Sequence, residues 1–215
     1  MSFDEFRTIL GATNNYLEAI LMPIMTILIF IKLRREKRET GEINYVRAII
    51  GCVFACFSWM LVWEFLYNRT PVRMLFTENI VTFSETSWSF YNIGLSLTVA
   101  FGLVIPMYIN RRESLYYVPF FVVGGMWLYY IATGYYEMMM YFIYIGALMA
   151  IFFLIYTGFK YKENGSLGLA IFFLLAVMVL LIDGAAATFF NSAYIIFGVI
   201  FSLGIFKPFK EVVKE

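Results

Sequence analysis

Two acidic residues, Glu18 and Asp183, stand within apolar stretches of the sequence. An ionisable side chain inside a bilayer costs about 2.5–3.5 kcal/mol on insertion scales, so such residues usually face a partner or a water-filled cavity. Glu18 and Asp183 are therefore our first candidates for a ligand or ion pathway. The alternative is that both are hydrated acids at the membrane interface, paired with Arg69, Arg73 or the amino terminus of a helix.

A second candidate is a polar stripe spaced at i, i+4, i+7 and i+11, formed by Glu85, Ser89, Asn92 and Ser96. This spacing places the four side chains on one face of a helix. Facing lipid would leave their donors and acceptors unpaired, so we expect the stripe to point into a helix bundle. It could line a water-filled vestibule open to the outside. Hydrogen bonding between helices, worth about 0.6 kcal/mol per bond in membranes, would explain it equally well.

Histidine is absent from the sequence, and this absence excludes several chemistries. A Ser/His/Asp or Cys/His nucleophile cannot form, and zinc or haem held by histidine is excluded too. Between Asn191 and Phe206, in the last apolar stretch, there is no lysine for a retinal Schiff base. We interpret Cys52 and Cys56, four residues apart, as small residues in helix packing. The sequence therefore predicts a protein without enzymatic activity, cofactor or metal site.

The elements that position these residues are predicted to be membrane helices. Hydrophobic residues make up 62% of the 215 residues and charged residues only 14%, whereas soluble domains carry about 25% charged residues. Since each span needs about 20 apolar residues, we predict one all-α integral membrane domain over residues 1–215, a bundle of seven transmembrane helices. The predicted helices cover 9–31, 45–67, 86–109, 115–132, 137–159, 167–188 and 191–207. Residues 183–188 and 191–192 would hold the last turn, although little polar sequence marks it, and a re-entrant hairpin is the alternative to two full spans.

The orientation is predicted from the basic residues. Of 16 lysines and arginines, 13 cluster around the carboxyl ends of the odd-numbered helices and the loops that follow, and only Arg7, Arg69 and Arg73 fall on the other side. Because cytoplasmic loops are enriched in lysine and arginine, we predict an external amino terminus and a cytoplasmic carboxyl terminus, in the cell membrane. The expected cytoplasmic basic surface consists of Arg34, Arg35, Lys37, Arg38, Arg111 and Arg112.

This layout resembles the seven-helix membrane sensor modules that precede kinase or cyclase domains in prokaryotes. It shares with them the external amino terminus, the modest helix lengths and the short basic inner loops. The resemblance is one of architecture and rests on no residue motif. Only Pro208 to Glu215 follow the last predicted helix, so a signal would have to pass to a separate protein.

Three functions follow as expectations. The first is a non-enzymatic sensor or receptor-like module that engages a protein partner in the membrane or at its cytoplasmic face. The second is a small transporter or cation-conducting protein with an acidic outer vestibule. The third is an accessory subunit of a larger membrane complex. The lipid bilayer is the surrounding partner, homo-oligomerisation is left open, and a net charge of +1 gives no reason to expect nucleic acid.

Overall fold

A computed structural model of the protein describes residues 3–70, 90–162, 164–182 and 184–203. These residues form seven α-helices and a short 3₁₀ turn, Glu113–Leu115, with no strand among them, so the all-helical prediction is confirmed for the described part of the chain. The helices are α1 (Phe3–Thr40), α2 (Tyr45–Arg69), α3 (Phe90–Ile109), α4 (Val118–Thr133), α5 (Glu137–Tyr161), α6 (Asn164–Leu181) and α7 (Ala185–Ser202).

Helix α1 is longer than predicted, because it begins at Phe3 instead of residue 9 and continues past residue 31 to Thr40. Hydropathy marks where the chain leaves an apolar environment, but the charged residues that follow are good helix formers. Arg35 and Glu39 add an i,i+4 ion pair with Nε and Oε1 2.7 Å apart. The helix stops at Gly41, whose φ of 77° suits glycine. At about 1.5 Å per residue, its 38 residues exceed a bilayer core of about 30 Å.

The helix bounds predicted on either side of the α6–α7 turn are wrong, but the turn lies at the start of the region 183–188 that was expected to hold it. Helix α6 ends at Leu181 rather than at 188, and α7 begins at Ala185 rather than at 191. Gly184, with φ 76°, makes the turn. The polar pair Asn191 and Ser192 lies inside α7, where Asn191 contacts Glu18 and Ser192 contacts Asn14, both on α1. Each helix has 18 residues, about 27 Å in length.

Six helices form a closed ring in the order α1, α2, α3, α5, α6 and α7, with α7 returning to α1. Helix α4 packs outside this ring, against α3 and α5. Side chains from opposite helices meet inside it. The rings of Phe54 on α2 and Phe172 on α6 stack 5.1 Å apart, and the Phe54 ring also stacks on that of Phe201 on α7, at 6.1 Å.

The outer surface is strongly apolar. Among the exposed side chains are Ile20 and Ile27 on α1, Phe121 and Leu128 on α4, and Phe152 on α5. Five helical segments are long and apolar enough to cross a membrane: α1, α2, α3, the segment Glu113–Thr133 that joins the 3₁₀ turn to α4, and α5. The apolar parts of α6 and α7 are shorter. A continuous apolar exterior of this kind is costly in water and favourable in lipid. The described structure is therefore compatible with a membrane protein.

Candidate functional site

The described helices enclose a cavity of about 290 Å³. All six ring helices contribute to its lining, and α4 contributes nothing among the described residues. The size is close to the lower end of small-molecule sites, which run from about 300 to 1,000 Å³. The cavity thus depends on the whole ring, because each helix contributes only a few of the residues that line it.

Glu18 is the predicted site residue that lies in this cavity. It sits halfway along α1, and 7% of its surface is exposed. Its carboxylate faces the Asn191 amide and the Tyr194 hydroxyl of α7, both within hydrogen-bonding reach. Donors placed this way stabilise a carboxylate that has left water. We call the contact between α1 and α7 the α1–α7 seam. It provides Glu18 with a polar environment in an otherwise apolar bundle.

A second carboxylate, that of Glu64 on α2, shares the cavity with Glu18. The two groups are close enough for their charges to interact. None of the described residues around the cavity is a lysine or an arginine. Two carboxylates without a basic partner repel each other in a low dielectric, so the pair needs protons or a cation for balance.

The polar lining is concentrated in one half of the cavity. Glu64 lies near the carboxyl end of α2, Tyr91 at the start of α3, and Asn191 within two turns of the start of α7. The helix ends near these residues lie opposite the basic loops, and we call them the distal end of the bundle. Deeper in the ring the lining becomes apolar, with Phe57 and Phe173 among its side chains. The cavity is therefore amphipathic along its length.

Asn14 strengthens the same α1–α7 seam one turn closer to the distal end. Its side chain is 2% exposed, and Nδ2 donates to the Thr188 carbonyl at 3.2 Å and to the Ser192 hydroxyl at 3.0 Å. Ser192 Oγ in turn donates to the Thr188 carbonyl at 3.1 Å. This network explains why a polar pair sits within α7 instead of marking a turn.

The predicted stripe on the third helix is placed differently. Asn92 and Ser96 are buried, at 3% and 0% exposure, but α3 turns Tyr91, Leu95 and Thr98 toward the cavity instead. Ser96 Oγ donates to the carbonyl of Ile93 at 3.0 Å, a bond within its own helix.

Three other predicted site residues, Glu85, Ser89 and Asp183, lie outside the described residues. Sequence reasoning did not single out Glu64 as a site residue. It missed Asn191 and Tyr194 as site residues, because their polarity was assigned to a turn or to no role at all.

At the opposite end, the predicted basic surface is exposed. All six side chains are solvent-accessible: Arg34, Arg35, Lys37, Arg38, Arg111 and Arg112. Nearby cations have structural partners, since Arg47 pairs with Glu36 and Lys32 Nζ donates to the Ser202 carbonyl at 2.6 Å. A lysine at the last carbonyls of α7 is favourably placed against the helix dipole. We call this the basic end.

No group of three or more potential metal ligands occurs among the described residues. Comparison of the chain with protein-family models, curated proteins and solved structures finds no match in any of the three.

Proposed function

We propose that this chain is a non-enzymatic, receptor-like membrane module that binds a small ligand in its ring cavity and signals to a protein partner. In this proposal its helices cross the cell membrane with the amino terminus outside, the distal end facing outward and the basic end in the cytoplasm. The apolar exterior and the five long apolar helices support insertion. The segregation of basic residues supports the orientation.

The observation that carries the proposal is the cavity itself. Six helices surround about 290 Å³ and present two carboxylates within a mostly apolar lining. Ligand sites in helical proteins are typically apolar spaces between helices with a few polar groups that fix orientation. A bundle whose helices served only as packing surface would be expected to fill this volume with side chains.

An aromatic cluster favours binding over open conduction. Phe54, Phe172 and Phe201 stack across the ring on the side of the cavity nearer the basic end. Phe57 adds an edge-to-face contact with Phe172, with centroids 5.8 Å apart. These residues are nearly fully buried, so a ligand that entered from the distal end would meet a packed floor.

The α1–α7 pair offers a route from the cavity to the cytoplasmic partner. Both helices line the cavity, through Glu18 on α1 and Asn191 and Tyr194 on α7. Both also reach the basic end, where Lys32 on α1 donates a hydrogen bond to the Ser202 carbonyl at the end of α7. A ligand that displaced the residues of this seam would shift α1 and α7 together. The exposed basic side chains beyond residue 33 would then move with α1. Signalling of this kind requires two arrangements of the seam that the ligand binds differently.

A transporter of cations is the second candidate, and the carboxylate pair is the observation that favours it. Two acids without a described basic partner would attract cations from the outer side. In that case the aromatic cluster would be a gate that opens during transport rather than a permanent floor. Substrate flux through the protein distinguishes this candidate from the receptor.

The partner is tested by purifying the full chain from its native membrane in a mild detergent. We expect a protein recovered at fixed stoichiometry. Replacing Arg34, Arg35, Lys37 and Arg38 together by alanine should release it, because they form the exposed basic surface. The matched control is Glu42→Gln, an exposed change in the loop that follows. Recovery of a monodisperse protein without a partner would refute the receptor proposal.

Orientation is tested by labelling. Lys37→Cys in a background without Cys52 and Cys56 should react with an impermeant maleimide only after the cytoplasmic side is opened. Labelling of intact cells would reverse the proposed topology.

A further inference from the structure

We infer that the cavity ligand is a small amphipathic amine, a protonated primary or secondary ammonium group attached to an apolar body. The inference rests on the proposed ligand-binding function and names the chemistry of what binds. It depends on three features of the lining: its charge, an unused acceptor and its apolar floor.

The first feature is the uncompensated charge. Glu18 and Glu64 reach the cavity from two neighbouring helices, and no described lining residue is basic. An ammonium group between the two carboxylates would balance their charge and donate charge-assisted hydrogen bonds to both of them. An anionic ligand would add to the repulsion, and a neutral ligand would leave it in place.

The second feature is an acceptor without a donor. Asn191 Oδ1 is buried and finds no hydrogen-bond partner among the residues that the structure describes. The hydrogen bond to Glu18 fixes the orientation of this amide. A carboxylate only accepts, so Nδ2 of Asn191 must face it, and Oδ1 then points away from Glu18. A buried acceptor left unpaired costs about 1–3 kcal/mol. A ligand N–H would satisfy it, whereas a quaternary ammonium has no N–H to donate.

The third feature separates an organic cation from a metal ion. Hard cations such as Ca²⁺ take about six to eight oxygen ligands at close range, and no group of three or more His, Cys, Asp or Glu side chains occurs among the described residues. The remaining lining is aromatic and aliphatic, with Tyr91, Phe57 and Phe173 among its members. Tyrosine faces attract ammonium groups through their ring quadrupole, and the phenylalanines can cover an alkyl or aryl body.

The test uses the full chain in lipid nanodiscs and three probes that share one carbon skeleton: n-hexylamine, n-hexanol and hexanoate. At neutral pH they carry an ammonium, a hydroxyl and a carboxylate. We expect n-hexylamine to bind and to raise the thermal unfolding midpoint with rising concentration. We expect no comparable shift with the other two probes or with sodium or potassium chloride at the same ionic strength.

Variants locate the site. Glu18→Gln and Glu64→Gln each keep the shape of the side chain and remove its charge. Loss of one charge-assisted hydrogen bond should weaken n-hexylamine binding by about 10- to 100-fold. Glu137→Gln is the matched control, because Glu137 is an exposed carboxylate at the distal end of α5 and does not line the cavity. It should leave binding unchanged.

Several outcomes would overturn the inference. Equal stabilisation by n-hexanol would make the cavity a general apolar site. Equal stabilisation by sodium or potassium would indicate an inorganic cation and favour the transporter. Unchanged n-hexylamine binding in both glutamine variants, or binding lost equally in Glu137→Gln, would place the amine elsewhere. Absence of binding by any probe would also overturn it.

The comparison of the three probes on the wild-type protein stands even if a variant fails to fold. If the probes show that no amine binds, the amine inference is refuted but the proposed receptor function is not. The receptor function is refuted only by the purification that looks for a protein partner.

Discussion

The packing of α5 against α6 makes Gly158→Ala a sharp test of the fold. An added Cβ at Gly158 would lie 2.6 Å from Cγ and 2.7 Å from Cδ2 of Leu167, and 3.2 Å from the Leu167 backbone nitrogen. The leucine side chain can rotate away, but the backbone nitrogen can move only with the whole of α6. The short connection at Lys162 keeps the two helices together at this end, so the substitution must separate them or displace Leu167.

The size of the effect is a difference of two terms. Alanine in place of glycine within a helix stabilises it by about 0.5–1 kcal/mol. Overpacking of a close contact costs about 1–3 kcal/mol. We therefore expect Gly158→Ala to lower the free energy of unfolding by about 0.5–2 kcal/mol. Gly125→Ala on α4, where a Cβ would meet nothing within 4 Å, isolates the first term and should raise that free energy by about 0.5–1 kcal/mol.

Unfolding by sodium dodecyl sulfate in mixed micelles, followed by the fluorescence of the four tryptophans, measures both variants. Leu167→Ala in the Gly158→Ala background removes the two closest atoms and should recover part of the lost stability. The coupling between the two sites in the double-mutant cycle is expected to reach about 1 kcal/mol. If the Gly158→Ala variant had the same free energy of unfolding as the Gly125→Ala variant, the close approach of α5 and α6 would be refuted.

Three further predictions address the α1–α7 seam and the transport alternative. Asn14→Leu removes two hydrogen bonds to α7 and should destabilise the bundle by about 1 kcal/mol at about 0.6 kcal/mol per bond; an unchanged denaturation midpoint would contradict the seam. Lys32→Met frees the Ser202 carbonyl and should lower the thermal midpoint, whereas Lys37→Met, an exposed change on the same helix, should not. If the protein transports cations, Glu18→Gln should abolish their flux into proteoliposomes without loss of folding, and unchanged flux would eliminate the transport candidate.

Several features of the fold were predictable because they depend on local chemistry. Helix content follows from hydropathy and propensity, which each stretch carries by itself. The starts of α2 and α5 agree with the predicted residues 45 and 137 for this reason. The ends of helices were harder to predict. Helix α1, for example, continues through charged residues to Thr40 and stops at Gly41. Polarity alone does not separate a turn from an interhelical contact, as Asn191 and Ser192 demonstrate.

For the site, the sequence by itself singled out Glu18, because a carboxylate within an apolar stretch is costly wherever it finally packs. It also indicated the basic end, since the spacing of lysine and arginine along the chain is visible without coordinates. Only the tertiary structure decided that Glu64, Asn191 and Tyr194 join Glu18, and that α4 stays outside the ring. The physical reason is that helix faces packed on lipid and on protein are both apolar. Which helices become neighbours depends on how their side chains fit together across the ring. No single stretch of the sequence carries that information.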